Sequence, residues 1–277
     1  MSVSCNSPPP EREREPERNR AHLAAESAQR VLRLGGASNC RDLGGYRTRS
    51  GQCVRWRRVF RADRLDALNA DDWRRLAALR VGTVIDLRAA KECDGAPFRK
   101  PAMRRVALPI ESALGRQLAA LRAAGTTVDG ERMRGLMQQE YRRILLDHAD
   151  RFAELLRVVA DADDAVIFHC AAGKDRTGIA AALLLGALGV DRATIKQDYL
   201  LTNETYRRPA DLQEQGRASG LSTEALDVMW SVHASHLDAA FDAVEELHGG
   251  LEGFLGGPLA VSPAIRRRLA DRLLENA

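Results

Sequence analysis

Cysteine, lysine, aromatic side chains and long apolar runs are all scarce in these 277 residues, and each shortage removes a class of protein. The five cysteines, Cys5, Cys40, Cys53, Cys93 and Cys170, show neither paired nor metal-ligand spacing. That excludes a disulfide framework and predicts free thiols in a reducing, cytoplasmic compartment. No segment offers ~18 uninterrupted apolar residues, so integral membrane association is not expected. The basic-then-apolar pattern of a secretory signal is also missing, which leaves export only to a route that lacks one. A net charge of +4 is small against 42 basic and 38 acidic residues, and the basic residues are scattered, so nucleic acid is not an expected partner.

What is present is enough for a sizeable core, since 45% of the residues are hydrophobic. Residues 1–22 are proline-rich with alternating charge and few apolar residues to pack, and they read as a disordered tail ahead of a single domain over 23–277. Within that domain strand and helix signals alternate. A helix starts at Asn69 or Asp71 and runs through Leu79. Val81 to Leu87 is a buried strand, and apolar positions from Tyr141 to Val159 form one face of a long helix. The short apolar run Ala165 to Phe168 is another buried strand, after which Ile179, Ala180, Leu183 and Leu184 recur at helical spacing. This order predicts an α/β fold with a central, mainly parallel sheet flanked by helices. Residues 190–277 read as helical, with Asp191, Ser222 and Ser262-Pro263 as helix starts. Residues 111–135 interrupt the alternation with an amphipathic stretch, read as a lid or as a plain surface insertion.

The chemistry sits between the Ala165 strand and the helix after it. Residues 169–178 read His169-Cys170-Ala171-Ala172-Gly173-Lys174-Asp175-Arg176-Thr177-Gly178. A loop from a strand's end to a helix's start presents unpaired N–H groups and the positive end of the helix dipole, which together hold an anion. The same field favours a cysteine thiolate, so Cys170 reads as a nucleophile inside a phosphate cup made by residues 171–176. Arg176 can return over the loop as a planar fork for two phosphoryl oxygens. Thr177 can direct its hydroxyl at the sulfur. His169 reads as a hydrogen-bonded strand-end residue that fixes the loop rather than as a base. No metal or organic cofactor is called for. The segment is not a nucleotide-binding loop, because Asp175 stands where Ser or Thr would hold magnesium and the upstream glycine is missing.

The segment resembles the signature of the cysteine-dependent protein tyrosine and dual-specificity phosphatases, and its Gly-Lys-Asp-Arg-Thr-Gly form is similar to a bacterial tyrosine phosphatase group. Asn39-Cys40-Arg41-Asp42-Leu43-Gly44-Gly45-Tyr46 is similar to that group's N-terminal signature, with Cys40 where phenylalanine is usual. Phe60-Arg61-Ala62-Asp63, Thr83 to Arg88 and Glu92 continue the likeness. The resemblance implies a phosphatase-like α/β fold and a phosphomonoester hydrolase acting on phosphotyrosyl proteins through a phosphocysteine. Phosphoserine/threonine and phosphoinositides are alternatives within the same chemistry. Two other readings are a catalytically silent phosphate-binding module and arsenate reduction with a partner from Cys40, Cys53 or Cys93.

The proton donor to the leaving group is less direct, because none of Trp56, Trp73 or Trp230 begins a Trp-Pro-Asp sequence. Asp175 lies in the loop and matches the aspartate given that role in the similar group. Asp86, at the end of the Val81 strand, and Asp42 compete with it, and Asp175 is also read as a carboxylate stabilising the helix start. Lys174 is one of only four lysines, and it reads as support for the phosphate dianion or as an attraction for a second phosphate. His233 and His236 share a helical face at metal-site spacing, but without a third ligand nearby they read as surface or core histidines.

Overall fold

The computed structural model describes residues 29–94, 103–209, 214, 216 and 219–276; the expected disordered tail over 1–22, with Cys5, lies outside them. Seven strands are described: β1 (Arg41–Asp42), β2 (Gln52–Val54), β3 (Val59–Ala62), β4 (Val81–Asp86), β5 (Arg104–Ala107), β6 (Ala165–His169) and β7 (Leu274–Asn276). Five of them form one sheet in the order β1-β3-β6-β4-β5, in which β1 runs antiparallel to β3 and every other pairing is parallel. The mainly parallel sheet expected from the alternation is therefore the one formed.

β6 lies at its centre because its residues are apolar on both faces. Val166 and Phe168 enter the larger hydrophobic cluster, and Ala165 and Ile167 the smaller one on the other side. Parallel pairing sets Ala62, Asp86 and His169 at the same level, so the chains leaving β3, β4 and β6 emerge along one sheet edge. That edge carries the site.

The smaller cluster is covered by α1 (Ala70–Ala78), whose capping box pairs the Asn69 side chain with the Asp72 amide and the Asp72 carboxylate with the Asn69 amide. After β4 come α2 (Ala90–Asp94), α3 (Leu114–Ala123), α4 (Gly130–Asp147) and α5 (Ala149–Asp161). α6 (Asp175–Ala187) leaves the loop after β6 and is followed by α7 (Arg192–Leu200) and α8 (Thr202–Thr205). α9 (Thr223–Trp230), α10 (Ala234–His248), α11 (Leu251–Gly256) and α12 (Pro263–Leu273) follow in the C-terminal part. Asp191, Ser222 and Ser262 accept from Thr194, Ala225 and Ile265 N–H at 3.0, 3.1 and 3.3 Å, as their residue types predict.

Two elements differ from expectation. The single helix read over 141–159 is two, broken at His148, which ends α4 and precedes α5 with φ −119° and ψ 28°. Its apolar periodicity survives the break because Ile144 and Leu145 on one side and Phe152 and Leu156 on the other bury in the same cluster. Periodicity reports a shared core here, not an unbroken axis. The C-terminal part also does not end as helix, since β7 pairs antiparallel with β2, setting Glu275 opposite Cys53. Three-residue strands carry too little alternation to show in sequence.

Candidate active site

Loop 170–174 is shaped from outside by donors that claim its carbonyls. Arg64 N–H reaches Ala171 O at 3.0 Å, and the Asn39 amide donates to Ala172 O and Gly173 O at 3.0 Å each. The Arg61 guanidinium adds a second bond to Gly173 O at 2.9 Å. With the carbonyls so engaged, no hydrogen bond among the described residues uses the amides of 171–176, which leaves those donors for an anion at the start of α6. Gly173 is required at the tightest point, where φ is +64° and a Cβ would lie 2.6 Å from the Ala62 carbonyl.

The tethers are themselves held by a buried ion network. Asp198 of α7 accepts from Arg41 Nε at 3.1 Å and from Arg61 Nη1 at 2.6 Å, and Tyr46 Oη donates to it at 3.0 Å. Burial alone would raise the Asp198 pKa, but the two guanidinium charges hold it well below the usual carboxylate range. Arg41 also donates to Asn39 Oδ1 at 2.5 Å, orienting the amide that clamps the loop. The N-terminal signature is thus a brace for the cysteine loop. Cys40 within it is fully buried beside Phe60 and Leu65 in the smaller cluster.

Cys170 is only 2% exposed and lies with Arg176 on the wall of a cleft of about 1970 Å³. Arg176 is aimed by Glu92 of α2, whose carboxylate takes Nη1 at 2.5 Å and Nη2 at 2.9 Å, while Ile110 O takes the other Nη1 hydrogen at 3.2 Å. Of five guanidinium donors this leaves Nε–H and one Nη2–H without a partner among the described residues, two on a single edge of the plane that can take two oxygens of an anion. Burial works against the Arg176 charge, but the Glu92 bonds and the neighbouring Cys170 outweigh it and raise the pKa.

Asp175 also lines the cleft, accepting from Tyr141 Oη at 2.6 Å and from Lys174 Nζ at 2.7 Å. Burial raises its pKa, yet the Lys174 charge and these two bonds more than offset that and hold it below the ordinary value. Lys174 is itself 3% exposed, so its ammonium is committed to Asp175 rather than displayed to solvent.

The two competing carboxylates sit elsewhere, and neither lines the cleft. Asp86 is bound by Arg88 and by Arg105, both at 2.9 Å, and despite burial the hydrogen bonds and charge of Arg88 depress its pKa far below normal. Asp42 accepts the amides of Gly44 at 2.8 Å and Arg57 at 2.7 Å, organising the turn after β1. His169 donates Nδ1–H to Cys170 O at 3.1 Å, and burial keeps its pKa low, which suits a neutral strand-end strut. The Thr177 hydroxyl is buried and makes no hydrogen bond among the described residues, the sulfur included.

Residues 32–275, nearly the whole described chain, match the family model described as the tyrosine phosphatase family. The chain belongs to that family. It is 32% identical over 234 residues to a protein of Cupriavidus necator assigned as a tyrosine-protein phosphatase, covering 82% of this chain and 83% of that one. The triple specificity protein phosphatase PtpB of Mycobacterium tuberculosis is 30% identical, with 88% of this chain and 99% of that protein aligned. A tyrosine-protein phosphatase of Nostoc commune is 31% identical over 187 residues, covering 65% and 62%. The protein is accordingly a cysteine-dependent tyrosine phosphatase.

Several residues around the site carried no role in the sequence. Tyr141 was visible only as one apolar position on a helix face, and nothing marked Tyr199 or Asp198. Asn39, Arg41 and Arg61 take no role from their own sequence neighbours. Their partners lie more than 100 residues away, so no local pattern could have assigned them.

Proposed function

We propose that this tyrosine phosphatase works with Cys170 as nucleophile, Arg176 and the amides of 171–176 as the phosphate clamp, and Asp175 as general acid. The observation that carries the reading is the division of labour in the loop, with carbonyls engaged outward and amides uncommitted around a buried thiol. The sulfur attacks phosphorus in line and the bond to the phenolic oxygen breaks, with Asp175 supplying the proton that oxygen needs. Water then attacks the phosphocysteine, Asp175 accepts its proton, and inorganic phosphate leaves. In the free protein Asp175 binds protons weakly. A phosphate dianion beside it raises that affinity by like-charge repulsion, so acid and substrate become protonation-matched as they meet. Thr177, with its hydroxyl uncommitted, is suited to stabilise the sulfur as a leaving group.

Phosphotyrosine on proteins is the leading substrate. At 2% exposure Cys170 is reached only from within the cleft, and an aryl phosphate has the length to do so. The cleft lining combines apolar residues, among them Leu114, Met137 and Trp230, with arginines that include Arg33, Arg75 and Arg207. That mixture and the triple specificity of the Mycobacterium tuberculosis relative keep phosphoserine/threonine and phosphoinositide substrates as the second reading. Leu114 at the cleft wall supports the proposed lid role of 111–135.

Rapid-quench mass spectrometry with an aryl phosphate tests the chemistry. We expect a burst of phenol equal to enzyme and a phosphoryl adduct on Cys170. Cys170→Ser should lower turnover by at least about 10³-fold while still binding phosphotyrosyl peptide. Hydrolysis at full rate without an adduct would overturn the mechanism.

A further inference from the structure

Asp175 is held by one of its two oxygens. Tyr141 Oη and Lys174 Nζ both donate to Oδ1, at 2.6 and 2.7 Å, and no described residue donates to Oδ2. A carboxylate only accepts, so the single Tyr141 hydroxyl proton points at Asp175. The Tyr141–Tyr199 hydroxyl contact of 2.5 Å then has one polarity, with Tyr199 donating to Tyr141. A directed chain therefore runs from α7 through α4 to the carboxylate at the start of α6.

The chain is rigidly seated. Tyr141 is 0% and Tyr199 1% exposed, their rings meet edge to face with centroids 6.1 Å apart, and the His236 ring of α10 lies 5.5 Å from Tyr141. Gly178 lets Tyr199 approach α6, since a Cβ there would lie 3.0 Å from the ring. Two donors on Oδ1 leave Oδ2 as the site for a proton on this carboxyl group, and turning the group over would break both bonds.

We propose that Tyr141, backed by Tyr199, is a positioning residue that fixes which oxygen of Asp175 carries the transferable proton and aims it at the leaving group. The proposal rests on Asp175 being the general acid. The groups facing Asp175 are Tyr141 from α4, Tyr199 from α7, His236 from α10, Tyr206 just after α8, whose hydroxyl is pushed up to about 12, and Lys174, Cys170 and Arg176 from its own loop and helix start. Burial pushes the Tyr141 and Tyr199 hydroxyls well above their ordinary range and His236 down to about 3, so these three keep one charge state through neutral pH. Only the loop's own charges and the arriving phosphate change the field at the acid.

The test is kcat/KM against pH for phenyl phosphate, a poor leaving group, and 2,4-dinitrophenyl phosphate, which needs no acid. Wild type, Tyr141→Phe, Tyr199→Phe and Asp175→Asn are compared. We expect Tyr141→Phe to cost about 10-fold with phenyl phosphate and less than about 2-fold with the dinitrophenyl ester, and to move the basic limb to higher pH. Tyr199→Phe should do the same more weakly, and it decides the matter should Tyr141→Phe fail to fold. Equal losses with both esters, or none, with an unmoved limb would overturn the proposal. If Asp175→Asn steepens the leaving-group dependence and the tyrosine variants do not, the tyrosine inference alone fails. An unchanged dependence in Asp175→Asn removes the acid assignment and this proposal with it.

Discussion

The cysteine loop and α3, which reaches the same cleft through Leu114, are built by different physics. The cysteine loop hangs from a network in which Asp198, Arg41 and Arg61 are at most 1% exposed and every loop carbonyl from 171 to 173 is tethered. Helix α3 has no buried residue and packs through the partly buried Leu114, Leu118 and Leu121. Directional bonds to buried charges fix atoms, whereas a few half-covered leucines supply attraction without register. Directional bonding is concentrated on the cysteine loop, and α3 is lightly attached.

The strongest way to break this contrast is at Asp198. Asp198→Asn leaves two buried guanidiniums facing each other, and we expect a loss of about 3–5 kcal/mol in denaturant unfolding together with reduced kcat/KM. Because the folded-state pKa of Asp198 lies below its unfolded value, its contribution is complete above about pH 4 and is lost as pH falls further. The variant should lack that part of the acid sensitivity, which urea titrations between neutral pH and pH 3 would reveal. A variant with wild-type stability and acid profile would show that the network does not carry the loop.

Gly173→Ala tests the loop without touching a charge. Its Cβ would meet the Ala62 carbonyl carbon and oxygen at 2.6 Å with φ at +64°, so we expect a cost of about 1–3 kcal/mol and a loss of vanadate binding by isothermal titration calorimetry. The smallest effect is expected in α3. Leu118→Ala should change stability by less than about 1 kcal/mol and leave hydrolysis of small aryl phosphates unchanged, with any change confined to KM for phosphopeptides. A large loss of stability there would erase the difference between the two regions.

How far each region was legible follows from the range of the forces involved. Cys170, Arg176 and the strand–loop–helix around them are local, and five intervening residues contain the whole spacing requirement. The caps at Asp191, Ser222 and Ser262 act within three residues and were equally readable. The break at His148 was hidden because burial into one cluster imposes the same periodicity on two helices as on one. Among the carboxylates, residue type could not separate Asp42, Asp86 and Asp175. Their partners do: arginines surround one, turn amides another, and a tyrosine hydroxyl and a lysine the third.

The sequence alone determined the parallel α/β order and the strand–loop–helix that carries Cys170 and Arg176, because hydrophobic period, capping and a strand-to-helix turn are set by neighbours in the chain. The tertiary structure decided which charges meet. Asp198 reaches Arg41 across 157 positions and Tyr141 reaches Asp175 across 34, and such pairings exist only after the sheet has brought distant helices to one edge.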